Sequence, residues 1–267
     1  MRRRAPFQAA FTARAIALAV VVGVGGALVG GVPGTAPDVA AASRPFRIDL
    51  ARSGDFVAQK NFVQCVGASM QMMLNILGPK DDRSARTQVR LQNLARNLSG
   101  PTREGFERKG ASVRGWSAGL NELGAGPYRL VGTDTLDEAL RLAAVSIRGT
   151  GKPVGLLVWA GRHAWVMSGF ESTADPAVTS NFQVTRAIVM DPLYPYGSSR
   201  WGASPRPRQA ISPSTLGKQF VQRRRGTWAG AVTGTIGTAT MNALAGKYVI
   251  VMPFQPITVV RHRAVAI

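Results

Sequence analysis

Apolar residues recur at helical spacing from Val66 to Leu77, where Val66, Met70, Met73, Leu74 and Leu77 share one side of a helix of about three turns that Gly78-Pro79 ends. The charged segment Asp82 to Leu98 reads as a second helix, with Leu91, Leu94 and Leu98 on one stripe before Ser99-Gly100-Pro101. Trp116, Leu120 and Leu123 mark a short helix closed by Gly124. Thr135-Leu136-Asp137-Glu138 has the pattern of a capping box and starts a helix with Leu136, Leu140, Ala144 and Ile147 inward, which Gly149-Thr150-Gly151 ends. The period then changes. Pro153 introduces a strand from Val154 to Trp159, and after Ala160-Gly161-Arg162 further strands run over His163–Phe170, Val184–Met190 and Tyr248–Met252. Helices first and strands afterwards predict an α+β domain, its helical part packed on an antiparallel sheet or small barrel. The glycine-rich stretch from Gly226 to Gly246 lacks periodicity and reads as a loop before the last strand.

The N-terminus follows a different logic. Arg2, Arg3, Arg4 and Arg14 precede an uncharged run from Ala15 to Val32, followed by Pro33, Pro37 and Ala40-Ala41-Ala42, which is the order of a secretory signal and its cleavage site. An uncleaved anchor is the alternative, although the glycines between Gly23 and Gly31 make a poor permanent helix. The Pro-, Ala- and Gly-rich stretch 33–46 looks extended, with folded chain beginning near Phe46. The domain assignment is therefore a signal peptide over 1–42, a linker over 43–55 and one domain over 56–267. The expected destination is secreted or extracytoplasmic.

The formal charge of the 267-residue chain is +19. Residues 1–42 hold four Arg and one Asp, a net +3, so residues 43–267 carry +16. That balance favours anionic neighbours such as cell-wall polymers or anionic membrane. The basic residues are scattered apart from Arg223-Arg224-Arg225 and Arg206/Arg208, so no specific nucleic-acid partner is predicted.

Cys65 is the only cysteine, so no disulfide forms within the chain, and the thiol is either a small buried hydrophobe or a nucleophile. It sits at the first turn of the Val66–Leu77 helix, where unpaired N–H groups and the positive end of the dipole favour a thiolate. His163 opens one strand, and Asp191 ends the strand Val184–Met190 just before Pro192. An antiparallel hairpin centred near residue 177 sets His163 directly opposite Asp191, where the carboxylate would accept the ring N–H and fix its tautomer. The other histidine, His262, is flanked by Arg261 and Arg263 and is assigned no role.

Other chemistries lack their residues. Gly149-Thr150-Gly151-Lys152 runs into Pro153, which has neither the hydroxyl nor the N–H that a phosphate-binding loop needs there. One cysteine and two distant histidines make no zinc cluster, so neither metal nor cofactor is expected. Asp137/Glu138 is already explained by helix capping rather than by a glycosidase pair.

Several of these residues occur in an order that resembles the papain-like cysteine peptidases, most closely the domain similar to the double-glycine-leader peptidases that process bacteriocins. The likeness rests on Gln59 six positions before Cys65, the small residues Gly67-Ala68-Ser69 and the helix Met70 to Gly78. It continues through Gly151-Lys152-Pro153-Val154, the run Gly161 to Phe170 around His163, Val189-Met190-Asp191-Pro192 and the closing strand Tyr248-Val249-Ile250-Val251. It spans roughly Phe56 to Pro253. Members of that group usually have Cys-Gly-Pro or Cys-Trp-Ala where this chain has Cys65-Val66-Gly67.

The resemblance implies a papain-like fold with the cysteine-bearing helix packed on an antiparallel sheet. It also implies a Cys65 nucleophile, a His163 base and an orienting Asp191. Gln59 would supply an oxyanion-hole donor beside the backbone N–H of Cys65, with Gln64 as the alternative amide. The expected function is an exported thiol hydrolase, a cysteine peptidase acting on a peptide or protein through an acyl-enzyme. The alternatives are a non-catalytic basic module that binds the cell wall or membrane surface on the same scaffold, or an acyl transferase using the same triad.

Overall fold

The computed structural model describes residues 44–100, 109–224 and 244–255. Residues 1–42, expected from the sequence to be a signal peptide, most of the glycine-rich stretch and His262 lie outside the described residues. Five helices are present among those described, α1 (Cys65–Leu77), α2 (Ala85–Asn97), α3 (Val113–Glu122), α4 (Leu136–Thr150) and α5 (Pro213–Leu216). The strands are β1 (Phe46–Asp49), β2 (Tyr128–Thr133), β3 (Val154–Val158), β4 (His163–Ser172), β5 (Val184–Met190), β6 (Gly197–Ser198), β7 (Gly202–Ala203), β8 (Gln209–Ile211) and β9 (Tyr248–Pro253). The fold is mixed α+β, with an open antiparallel sheet in the order β2-β9-β3-β4-β5-β8.

Four of the five described helices start where the sequence supplies a cap. Ser84, Ser112, Thr135 and Ser212 accept hydrogen bonds from the amides of Thr87, Gly115, Glu138 and Thr215, opening α2, α3, α4 and α5. The α1 helix differs. Gln64 stands at its N-cap without a side-chain capping bond, so the start of α1 depends on neighbours.

The sheet is buried on both faces. Leu156, Trp165 and Met167 point into a core shared with Ala139, Leu140 and Ile147 of α4, while Leu157, Ala164 and Val166 point into a second core with Val66, Met70 and Met73 of α1 and with Trp116 of α3. Strands covered on both sides read as continuous apolar runs instead of alternating ones, as β3 and β4 do.

Besides α5 and the short strands β6, β7 and β8, which the sequence reading did not include, three features differ from it. Residues 46–49, inside the stretch assigned to a linker, form β1 and pair with the second half of β4, Ile48 opposite Phe170. Tyr128–Thr133 forms an edge strand on β9, where only Tyr128 and Thr133 are buried, so a two-residue period was not visible there. The third is the β4–β5 register. Val166 pairs with Met190 and Met167 with Val189, then the register shifts at Gly169 and again near Ser172. The two shifts cancel, since Ser172–Val184 and Val166–Met190 share one register, and the hairpin is centred near residue 178 instead of 177, so Asp191 does not stand directly opposite His163.

Candidate active site

Extending the Val166–Met190 pairing by one residue puts Asp191 across from Trp165, which makes His163 its diagonal neighbour on the same face of the sheet. Diagonal neighbours across a ladder stay within reach of long side chains. His163 Nε2 accordingly lies 2.7 Å from Asp191 Oδ1. The two-residue offset preserves the face, so the contact forms despite the shifted register.

Asp191 is fully buried and His163 is 4 % exposed. The same Oδ1 accepts the backbone N–H of Leu193 at 2.8 Å, and Tyr194 N–H bonds to the Asp191 carbonyl at 3.1 Å. The turn that begins at Pro192 thus fixes the carboxylate. An ionised carboxylate only accepts, so the ring proton at this contact belongs to Nε2, leaving Nδ1 as the other polar atom of the imidazole.

Cys65 is near enough to His163 for its side chain to act on the imidazole. Burial works against protonation of the imidazole, but the hydrogen bonds to Asp191 and Cys65 and the charges of both groups outweigh it, and the His163 pKa is raised from 6.5 to about 9. The Cys65 side chain is partly buried. Its backbone N–H has no hydrogen-bond partner among the described residues.

Two glutamines of α2 hold the loop that leads into α1. Gln92 Oε1 accepts the N–H of Gly67 at 2.9 Å, and its Nε2 donates to Val63 O at 2.8 Å. Gln88 Oε1 accepts from Lys60 N–H at 2.8 Å, and Nε2 donates to Ala58 O at 3.1 Å. Gly67 allows this close packing. A Cβ there would sit 2.8 Å from Gln88 O and 2.9 Å from Gln92 Cβ. The cap absent from the sequence before Cys65 is therefore supplied from another helix.

Gln59 belongs to this clamped loop, and its backbone N–H bonds to Pro192 O at 2.7 Å, one residue beyond Asp191. Its Nε2 donates to Asn61 O at 2.9 Å, which uses one of two amide protons. Gln59 Oε1 is buried without a partner among the described residues, as is Oε1 of Gln64. Gln64 itself is buried at the N-cap of α1.

Cys65, His163 and Asp191 thus come together from the start of α1, the start of β4 and the end of β5, and Gln59 is tied to the segment after Asp191. Residues that the sequence pattern did not single out complete the surroundings. Gln88 and Gln92 sit among polar residues of a charged helix, and their partners lie 25 to 30 residues away in sequence. Trp159 stacks on the His163 ring, centroid to centroid 4.2 Å. Its position four residues before His163 was the only available signal. Among the described residues, no group of three or more His, Cys, Asp or Glu could hold a metal ion.

No protein-family model matches the chain, and no curated protein matches it.

Proposed function

We propose that the protein is an exported cysteine peptidase-like hydrolase with a papain-like fold, in which Cys65 is the nucleophile, His163 the acid–base and Asp191 the orienting group. The observation that carries this reading is the buried 2.7 Å contact of His163 Nε2 with Asp191 Oδ1, on an imidazole that also feels Cys65 at the first turn of a helix. A raised imidazole pKa beside a thiol favours a thiolate–imidazolium pair, which is the reactive form of such a site.

In this mechanism the Cys65 thiolate attacks the carbonyl carbon of a peptide or related acyl compound and forms a C–S bond. The oxygen that becomes negative is held by the backbone N–H of Cys65 and the remaining Nε2 proton of Gln59. His163 gives its proton to the leaving nitrogen as the C–N bond breaks, leaving a thioester on Cys65. Water then loses a proton to His163 and attacks the thioester, and the acid departs as the thiolate returns. No cofactor enters the cycle. Transfer to an amine in place of water would use the same groups, so hydrolysis and acyl transfer differ only in which nucleophile reaches the thioester.

The +16 charge of residues 43–267 supports association with an anionic cell-wall or membrane surface. Such binding weakens steeply as salt is raised, whereas the chemistry at Cys65 changes little. The test of function is hydrolysis of a mixed peptide library by purified residues 43–267. Wild-type cleavage that disappears in Cys65→Ala and His163→Ala upholds the proposal. Cleavage that persists in folded Cys65→Ala overturns it.

A further inference from the structure

Trp159 is held in an unusual way. β3 ends at Val158, and Gly161 N–H bonds back to Val158 O at 3.1 Å, closing a tight turn with Trp159 and Ala160 at its centre. Both central residues have a φ of 56° and Gly161 has 96°. Turns with two left-handed central positions ordinarily take Asn-Gly or Gly-Gly, because a side chain there is strained. A tryptophan at such a position is an outlier that the surrounding structure must impose.

The residue that imposes it is Gln219. Its backbone carbonyl accepts the Trp159 N–H at 2.8 Å, and its side-chain Oε1 accepts the indole Nε1–H at 2.9 Å. The remaining end of the amide, Nε2, donates to Ala203 O at 3.0 Å. Gln219 is buried and stands just beyond α5, where its N–H bonds to Leu216 O at 2.9 Å and Leu216 is fully buried. The strained turn and the double clamp have one visible product. The indole lies over the His163 imidazole with 25° between the planes.

We propose that Trp159, locked by Gln219, is a positioning residue that covers the imidazole of His163, keeps Nε2 aimed at Asp191 and shields the His163–Cys65 pair from water. An aromatic face over a protonated ring is attractive, and its advantage grows as water is excluded. This role rests on the peptidase-like reading of the site but can be separated from it. The groups that act on the His163 charge are Asp191 at the end of β5 and Cys65 at the start of α1, while the buried Arg223 side chain packs against Gly161. The indole face attracts only the protonated ring, so removing it takes away a stabilisation of that form and moves the imidazole pKa down.

The test uses a His262→Gln background, so that His163 is the only imidazole, and follows its NMR titration together with the carbamidomethylation rate of Cys65 at pH 7. Trp159→Ala is expected to move the His163 midpoint down by about one unit, a ten-fold change in protonation equilibrium, and to slow alkylation several-fold. Trp159→Phe, which keeps an aromatic face, restores most of both, and Gln219→Leu falls between the two. A folded Trp159→Ala protein with the wild-type midpoint overturns the proposal. So does slower alkylation with no change in midpoint, or a Phe variant no better than Ala. If the wild-type thiol proves inert, the catalytic reading fails, and the His163 titration still decides the role of Trp159. The same downward move upholds it and no move rejects it.

Discussion

Ser69 Oγ donates to Ala164 O at 3.2 Å, joining the helix that begins with Cys65 to the strand that begins with His163. Both residues are fully buried. The donor stands one helical turn after the thiol and the acceptor one residue after the imidazole, so this bond sets how far apart the two reactive groups can drift. Removing a buried donor costs about 1–3 kcal/mol, because the acceptor is left without a partner. Ser69→Ala should therefore lower stability by that order and slow Cys65 alkylation, while Ser69→Thr should retain more of both. Chemical denaturation and the labelling rate measured on the same samples check this.

The clamp from α2 makes a second prediction. Gln92→Leu removes the acceptor of Gly67 N–H and the donor to Val63 O at once, leaving the start of α1 without its cap. The expected result is a loss of about 1–3 kcal/mol and faster proteolysis in the loop 58–64, with α2 still helical. Gly67→Ala should be at least as damaging, since its Cβ meets backbone and side chain of α2 below 3.0 Å. Limited proteolysis with mass-spectrometric mapping reads the outcome.

Asp191 uses a single oxygen to receive both His163 Nε2–H and Leu193 N–H. An asparagine can offer its carbonyl oxygen in the same place, so Asp191→Asn should stay within about ten-fold of wild-type activity. Asp191→Ala releases both the ring and the turn and should lose about a hundred-fold or more, yet less than Cys65→Ala. Steady-state hydrolysis by the three variants orders them.

The raised His163 pKa also links the site to stability. In the unfolded chain the imidazole titrates near 6.5, and in the folded protein near 9, so the folded state holds the proton more tightly. The resulting stabilisation is fully present below about pH 6.5 and is lost as pH rises through about 9. Urea denaturation midpoints should fall across that window. Cys65→Ala should flatten the dependence, because the contact and charge of Cys65 help hold the proton.

Much of the site was legible in the sequence, because Cys65, His163 and Asp191 stand at element ends marked by local signals. The first is a helix start after a loop, the second follows a glycine turn, and the third precedes a proline. Their meeting was legible in parity rather than in register. A hairpin centred one residue later than expected moves Asp191 two residues along β4, opposite Trp165, and leaves it on the face that His163 occupies. Strands β1 and β2 were missed because one falls inside the segment assigned to a linker and the other lies at an edge, where burial does not alternate. Gln88, Gln92 and Gln219 were illegible for a different reason. A side-chain amide that satisfies a backbone group 16 to 30 residues away leaves no periodic trace, so only the folded chain reveals it.

The central claim is that His163 and Cys65 act as one unit, and the carbamidomethylation rate of Cys65 as a function of pH tests it most directly. An ordinary thiol is only a few per cent ionised at pH 7, so it reacts slowly there and speeds up toward pH 8.5. Wild-type protein should instead react fast and nearly independently of pH between 6 and 8, and His163→Ala should fall at least ten-fold at pH 7 and regain the ordinary rise. A wild-type profile that already follows the ordinary thiol, or one that His163→Ala leaves unchanged in a folded protein, would contradict the account.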